Sequence, residues 1–502
     1  MDLSAAVSAT VSTLRRRPAD LLPFYFLGTA VPVIARMGLF VALAGVYVHF
    51  EITGRLADAR DALAELDLTP PAAEDPAAIE AWAEGLGPAL EPLASPTAVV
   101  LVTAGFLAFV LLAILSYAAV SAGQMSAVVA RLRDERGLTA GIAGVRERWL
   151  TFLGLYLAEF LLWVAVLVLG SLAIAIAFLA NPFVGAAVAL GVLLVGLVTL
   201  LAIRVVFAFA PAAIVVDDVG VAASVSGAGG FIRSNPTDAA AYLIVTVGVL
   251  VGISSAASAL ALFGGGAAVA LVSVVVVAPA LDLLKTVLYG DYRGTVDPVD
   301  PPEARLRDQF AGGARRGWRE MLGFIGRSPG LHLLTVLVGV GFGALGWLAV
   351  DPFVGAVTTS IEARLVDHIA PVAALDFFGN NWAVAIATSL SGVALVIPAL
   401  SSIAFNGLVI GATAALEENL LALIAFVIPH GIFEIPALFV SGALGIHLGL
   451  VSWRTFRGRL SREGFADALE NAFWVLMGIG ILLAIAAVIE GFVSPYYWGL
   501  FL

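Results

Sequence analysis

A histidine and a glutamate lie four residues apart in an apolar segment that follows Pro429. Because residues at this spacing share one face of a helix, the His430 imidazole and the Glu434 carboxylate can act together. Such a pair can form part of a metal site, relay a proton or join two helices. A zinc site needs further ligands, no HExxH motif is present, and the five histidines are too scattered to supply a clear third ligand. From the residues alone, all three roles stay open.

Three asparagines lie near this pair, in neighbouring apolar segments. Asn380 and Asn381 are adjacent, and Asn406 lies between two apolar runs. Amides are costly inside a bilayer, so asparagines there cap helices, form turns or hydrogen-bond across helices. Together with His430 and Glu434 they could form either a polar lock between helices or the lining of a polar path.

Small residues follow the histidine segment at a spacing that favours close helix contact. Gly442, Gly445 and Gly449 lie on one predicted helix. Small residues of this kind let the backbones of neighbouring membrane helices approach. Packing within one subunit and packing between subunits are equally compatible with the pattern.

The elements that position these residues must be membrane helices. The chain has 502 residues, of which 61% are hydrophobic, and its mean hydropathy is +1.02. We predict an all-α fold, a polytopic transmembrane helical bundle of about eleven spans with additional amphipathic or re-entrant helices. The absence of cysteine excludes disulfides, thiolate metal sites and cysteine nucleophiles. The arginines sit beside spans rather than in one patch, which argues against nucleic acid as a partner.

Composition divides the chain into three parts. Residues 1–300 are predicted to form a six-span domain with an acidic extramembrane insertion at 51–95. A helix-breaking stretch of prolines and acids at 297–302 precedes a basic juxtamembrane linker helix at 301–330. Residues 331–502 are predicted to form a five-span domain. Its expected elements are spans at about 331–350, 381–400, 402–416, 420–440 and 471–494, an external amphipathic helix within 351–376, and a bent or re-entrant piece at 442–453.

One hairpin allows a geometric prediction. Asn181-Pro182 marks a turn between two long apolar runs, and Glu159 and Arg204 each lie 22 residues from it. Two antiparallel helices that rise equally would bring these two side chains to one depth. We therefore expect a structural ion pair between Glu159 and Arg204.

Arginine placement predicts the orientation. Arginines precede the first span and fill the turns assigned to one side of the membrane, which is typical of the cytoplasmic side. Eleven crossings from a cytoplasmic N-terminus leave the C-terminus outside. The expected location is the cell (plasma) membrane, with the lipid bilayer as the first partner.

The C-terminal part resembles the stage II sporulation protein M family of integral membrane proteins. The segments that carry the resemblance are Asn380-Asn381, Asn406-Gly407, Pro429-His430-Gly431 with Glu434, the run Ser441–Gly449 and the terminal Ala486–Pro495. The order of these segments and the spacing between them also agree with those of the family. The resemblance covers about 320–495, and residues 1–300 look like an additional membrane domain.

The resemblance implies a five-span domain with its N-terminus inside and its C-terminus outside. It also implies that Asn380, Asn381 and Asn406 lie near His430 and Glu434, so we expect these five side chains to cluster on one side of the C-terminal bundle. The sporulation member is a membrane scaffold that recruits wall-degrading partners, while most relatives occur in organisms that never sporulate. We therefore expect a scaffold or membrane-remodelling component without enzymatic activity, cofactor or bound metal. It would be a homo-oligomer, with a dimer favoured, and would have membrane or envelope proteins as partners. The alternatives are a channel or transporter lined by the five polar residues and, with less support, an intramembrane metal-dependent hydrolase.

Overall fold

The computed structural model describes residues 2–64, 66, 76–262, 265–296, 301–351, 354, 357–366 and 368–501. In that part of the chain the regular structure is helical, apart from two isolated β-bridges. Ten helices are long and apolar enough to cross a membrane. The protein is therefore an all-α, multi-pass membrane protein, as the composition predicts.

The N-terminal half contributes six of these ten spans. Its helices in chain order are α1 Leu3–Arg16, α2 Leu22–Ile52, α3 Arg55–Ala64, α4 Pro76–Leu90, α5 Pro96–Leu132, α6 Gly137–Ala180, α7 Pro182–Val216, α8 Val221–Ser234, α9 Pro236–Ala261, α10 Ala267–Val272 and α11 Ala278–Arg293. A π-helical segment at 273–277 joins α10 to α11, so the two form one span. The other five spans of this half are α2, α5, α6, α7 and α9.

The described part of the predicted acidic insertion at 51–95 contains α3 and α4. This insertion and the predicted domain boundary both lie partly outside the described residues, at 65, 67–75 and 297–300.

The C-terminal half contains the remaining helices. They are α12 Leu306–Arg327, α13 Pro329–Val350, α14 Ile361–Leu365, α15 Ala370–Ser391, α16 Ile397–Leu416, α17 Leu420–Phe456, α18 Arg462–Phe492 and α19 Ser494–Tyr497. Four of them, α13, α16, α17 and α18, satisfy the length and hydropathy of a span. The 22-residue α15 occupies the place of the remaining predicted span but is not among the ten helices that meet these criteria. It packs on α16, α17 and α18 and on α2 and α10.

Helix α15 begins about ten residues earlier than the sequence predicts. Pro371 opens the helix, so Asn380 and Asn381 lie in its middle rather than at its start. Tertiary contacts hold this position: the Asp376 carboxylate accepts hydrogen bonds from the backbone N–H groups of Gly266 and Ala267. The external amphipathic helix expected within 351–376 is correspondingly reduced to the five residues of α14.

The structure also specifies two other predicted elements. The piece at 442–453 continues the preceding span, because α17 is one helix of 37 residues, so the re-entrant alternative is excluded. The basic linker helix is present as α12, and one of its faces packs on α18. There Gly317 lies against Met477 and Gly478, and Arg316 pairs with Glu470 at 3.2 Å.

The two halves of the chain pack against each other. The Phe26 ring of α2 stacks on Phe473 of α18 at a centroid distance of 5.8 Å and meets Trp382 of α15 edge-on. In the turn between α5 and α6, Arg136 pairs with Asp467 of α18 at 2.5 Å. We call the end of the bundle that carries this turn the arginine-rich end, and the other end the opposite end.

Candidate functional site

His430 and Glu434 lie on one face of α17, as their spacing predicts. Asn419 caps this helix by accepting a hydrogen bond from the Ala422 backbone N–H. Pro429 lies inside α17 and leaves a backbone carbonyl of the preceding turn without its usual donor. Helix α18 runs antiparallel to α17 and ends at Phe492, which brings its last turn beside this face.

The structure adds a third residue to the pair. Glu490, in the last turn of α18, lies so that one ligand atom each of His430, Glu434 and Glu490 falls within 4.8 Å of the others. The His430 Nε2 and Glu490 Oε1 atoms are 4.0 Å apart. Behind the imidazole, His430 Nδ1 shares a 2.9 Å hydrogen bond with the Ser494 hydroxyl. We call His430, Glu434 and Glu490 the histidine–carboxylate cluster.

The cluster is shielded from the surroundings. His430 is 5% exposed, and the side chain of Glu490 is 14% exposed. One carboxylate oxygen of Glu434 and one of Glu490 are buried without a hydrogen-bond partner. Within the described residues, no arginine or lysine forms an ion pair with either carboxylate. Two acids in such a place can share a proton or bind a cation, because two unpaired buried carboxylates are costly.

The three asparagines make their hydrogen bonds elsewhere. The Asn380 amide donates to the Asn381 side-chain oxygen, and the Asn406 amide donates to the Ser402 carbonyl one turn earlier in α16. Gly491, next to the cluster, packs on Ala370. Asn380 lies ten residues further along α15, which is about 15 Å along the helix axis. Of the five predicted residues, the structure thus brings His430 and Glu434 together and places the asparagine pair further along α15, away from the cluster.

The three predicted packing glycines make contacts within the subunit. Gly442 lies against Ile403, and a Cβ on Gly445 would be 2.6 Å from the Ala399 Cβ. A Cβ on Gly449 would be 2.5 Å from the Val396 backbone nitrogen. Helix α17 therefore uses these glycines to approach α16 and the turn before it.

Sequence reasoning left Glu490 and Ser494 out of the candidate site. Both lie in the segment Ala486–Pro495 that carries part of the family resemblance, and Glu490 is an acid at the end of an apolar run. That signal could have drawn attention to Glu490. Its partnership with His430, 60 positions away, depends on how α17 and α18 pack.

The N-terminal half holds a second polar site. Arg204 Nη1 lies 2.9 Å from Glu159 Oε1, so the two side chains meet as the hairpin geometry predicts. They line a cavity of about 590 Å³ between α5, α6, α7 and α11. A second ion pair, Lys285 with Asp282 at 2.6 Å, lines the same cavity, and the Tyr25 hydroxyl donates to Asp282.

Comparison with known families divides the chain into an N-terminal and a C-terminal part. Residues 1–290 match the model of a domain of unknown function, DUF7847, and residues 332–495 match the model of Stage II sporulation protein M. No curated protein and no solved structure matches the chain. The first match spans more than half of the sequence, and the second covers the four spans α13, α16, α17 and α18 together with α15. The chain therefore belongs to the DUF7847 family, with a Stage II sporulation protein M domain fused behind it.

Proposed function

We propose that this integral membrane protein is a non-enzymatic scaffold or membrane-remodelling component that works as a homo-oligomer, with a dimer as the simplest form. The main support for this proposal is that helices of the C-terminal bundle are in direct backbone contact. A Cβ on Gly392 would lie 1.9 Å from the Gly445 carbonyl oxygen, and one on Gly411 would lie 1.9 Å from the Gly343 carbonyl oxygen. Helices in backbone contact leave no room between them for a solute, which supports a rigid framework over a path.

The asparagine pair on α15 supports the oligomer. Asn380 is exposed on the isolated chain, and Asn381 is partly buried. Within a membrane bundle, an exposed carboxamide is stabilised by hydrogen bonds to another helix. A second copy of the chain offers the same amides and can satisfy both in a symmetric contact. Other membrane or envelope proteins could then bind to the assembled dimer.

The asparagine pair can be tested against a matched residue. Replacing Asn380 and Asn381 by alanine should lower the dimer fraction in lipid nanodiscs, measured by native mass spectrometry or in-membrane crosslinking. Asn406→Ala is the control, because the Asn406 amide is already bonded to its own helix. Equal dimer fractions in all three proteins would refute this contact, and a monomeric wild type would refute the oligomer.

We further propose that the protein resides in the plasma membrane with its N-terminus in the cytoplasm and its C-terminus outside. The arginine-rich end supports this orientation. Since the chain has no cysteine, single cysteines can be introduced without background labelling. A membrane-impermeant maleimide applied to intact cells should label Tyr496→Cys, at an exposed site, and spare Ser4→Cys. Labelling of Ser4→Cys before lysis would reverse the orientation.

A second candidate function is solute transport through the N-terminal half, and the cavity with two ion pairs favours it. Ionisable side chains within membrane spans commonly mark solute or proton pathways. Proteoliposomes carrying a pH-sensitive dye separate the two functions. A scaffold should conduct no more protons than empty liposomes do. Flux that Asp282→Asn abolishes and that His430→Ala with Glu434→Ala leaves intact would instead establish the N-terminal path.

A further inference from the structure

We propose that the histidine–carboxylate cluster binds one divalent transition-metal ion between α17 and α18. The proposal is independent of the scaffold and of the dimer. It rests on the convergence of three ligand side chains from two helices, and on the hydrogen bond that orients the histidine.

The cluster has the electrostatics of a cation site. Glu434 and Glu490 each present a carboxylate oxygen that is buried and has no hydrogen-bond partner. Their ligand atoms and that of His430 lie within 4.8 Å of one another. Two carboxylates this close repel each other, and burial strengthens that repulsion. A divalent cation placed between the two carboxylates removes the repulsion and gives each unpartnered oxygen an atom to bind.

The histidine is oriented as a metal ligand. With its proton on Nδ1, His430 donates to the Ser494 hydroxyl at 2.9 Å, and the lone pair of Nε2 faces the carboxylates. A hydrogen bond on the far ring nitrogen is the usual support of a metal-bound imidazole. The Phe426 ring meets the imidazole edge-on at a centroid distance of 5.5 Å and restricts its rotation. The His430 side chain is 7% exposed, so this orientation is held by the interior.

The donor set selects the class of metal. One imidazole and two carboxylates suit Zn²⁺, Mn²⁺ or Fe²⁺, whereas Ca²⁺ and Mg²⁺ prefer oxygen ligands alone. Tetrahedral zinc holds its ligand atoms about 3.4 Å apart, so the flexible glutamates need to close by roughly 1 Å. Three protein ligands leave one coordination position for water or another small ligand.

The position of the cluster indicates what the ion would do. His430 belongs to α17 and Glu490 to the last turn of α18, while Ser494 begins α19. Nearby, His368 contacts the Gly491 carbonyl oxygen, which ties the segment before α15 to the same turn. An ion at the cluster would hold α17 and α18 together at the opposite end of the bundle. It would also fix the position of the C-terminal segment that follows α18.

Zinc binding can be measured directly on the full chain. We would purify the protein with a tag that contains no histidine, remove metal with a chelator, and equilibrate it with Zn²⁺ in lipid nanodiscs. Elemental analysis should find about one zinc per chain. X-ray absorption should show one imidazole and oxygen ligands at about 2.0–2.2 Å. Zinc should also raise the unfolding temperature, since a ligand of the folded state stabilises it.

Matched variants locate the site. Glu490→Gln and His430→Gln should lose the bound zinc, while Glu463→Gln on the first turn of α18 and His332→Gln on α13 should retain it. Ser494→Ala should keep the ligands but weaken zinc affinity about 10- to 100-fold, because the imidazole loses its support. That graded loss distinguishes orientation of a ligand from a general loss of folding.

Two results would overturn the proposal. One is a wild-type protein that remains zinc-free at micromolar zinc, which would leave the two carboxylates sharing a proton. The other is zinc that stays bound in both Glu490→Gln and His430→Gln, which would locate the ion elsewhere. If a variant fails to fold, the wild-type stoichiometry and the absorption spectrum still decide between these outcomes.

Discussion

Asp20 is a buried carboxylate that joins three parts of the arginine-rich end. Its two oxygens accept hydrogen bonds from the backbone N–H groups of Gly137 and Leu138 at 2.8 and 3.0 Å, where α6 begins. The same carboxylate lies 3.7 Å from Arg131 Nε, and both side chains are at least nine-tenths buried. A distant aspartate thus caps α6 and neutralises a buried guanidinium.

We predict that Asp20→Ala lowers the free energy of unfolding by about 2–4 kcal/mol. The substitution removes the cap of α6 and leaves the buried Arg131 only the exposed Asp134, at 3.7 Å, as an ion-pair partner. Asp2→Ala is the matched control, since Asp2 is an exposed cap that accepts a hydrogen bond from Ala5. The control should cost about 1 kcal/mol or less. Denaturant unfolding of both variants in detergent micelles measures the difference. Similar losses in the two variants would contradict the role assigned to Asp20.

At the scale of elements, glycines set the distance between α13 and α16. A Cβ on Gly411 would fall 1.9 Å from the Gly343 carbonyl oxygen, and one on Gly346 would fall 2.1 Å from the Leu408 carbonyl oxygen. Real Cβ atoms do not approach backbone this closely, so any larger residue must push the two helices apart. Gly341 on α13 has open space around its Cβ position and makes no such contact.

We predict that Gly411→Ala destabilises the protein by about 1–3 kcal/mol through overpacking of the α13–α16 contact. Gly341→Ala should be neutral or stabilising by up to about 1 kcal/mol, because alanine is the better helix former. Comparing the unfolding midpoints of the two variants tests the contact. A neutral Gly411→Ala would mean that the helices separate without loss of packing.

At the scale of the whole molecule, the two halves form one packed structure. The Phe26 ring is fully buried between Phe473 and Trp382. At the arginine-rich end, the hydrogen bond to Asp467 raises the pKa of Arg136 above its ordinary value. This ion pair is partly exposed and contributes little to stability. The buried aromatic contact and the packing of α15 on α10 therefore contribute more to the association.

We expect residues 1–300 and 301–502, co-expressed as separate chains, to copurify through this contact. Phe26→Ala should reduce the copurified fraction, because truncation of a buried phenylalanine costs about 3–5 kcal/mol. Phe106→Ala should leave it unchanged, since the Phe106 ring is 55% exposed on α5. Quantitative immunoblotting of the captured C-terminal half gives the readout. Equal capture with both variants would show that other contacts join the halves.

The sequence by itself determined those features that depend on neighbouring residues. Apolar run length specified most of the spans, and Asn181-Pro182 specified the turn between α6 and α7. The approach of Glu159 to Arg204 followed as well, because two helices that leave one turn rise by the same amount per residue. That His430 and Glu434 share one helix face also follows from their spacing of four residues.

The tertiary structure alone decided which residues complete the site. It placed Glu490 and Ser494 beside His430, directed the asparagine amides to other partners, and moved the start of α15 to Ala370. These outcomes depend on how each helix is rotated about its axis and how closely it approaches its neighbours. Rotation and approach are determined by glycine contacts and buried caps between distant segments, and helical periodicity within one segment carries no information about them.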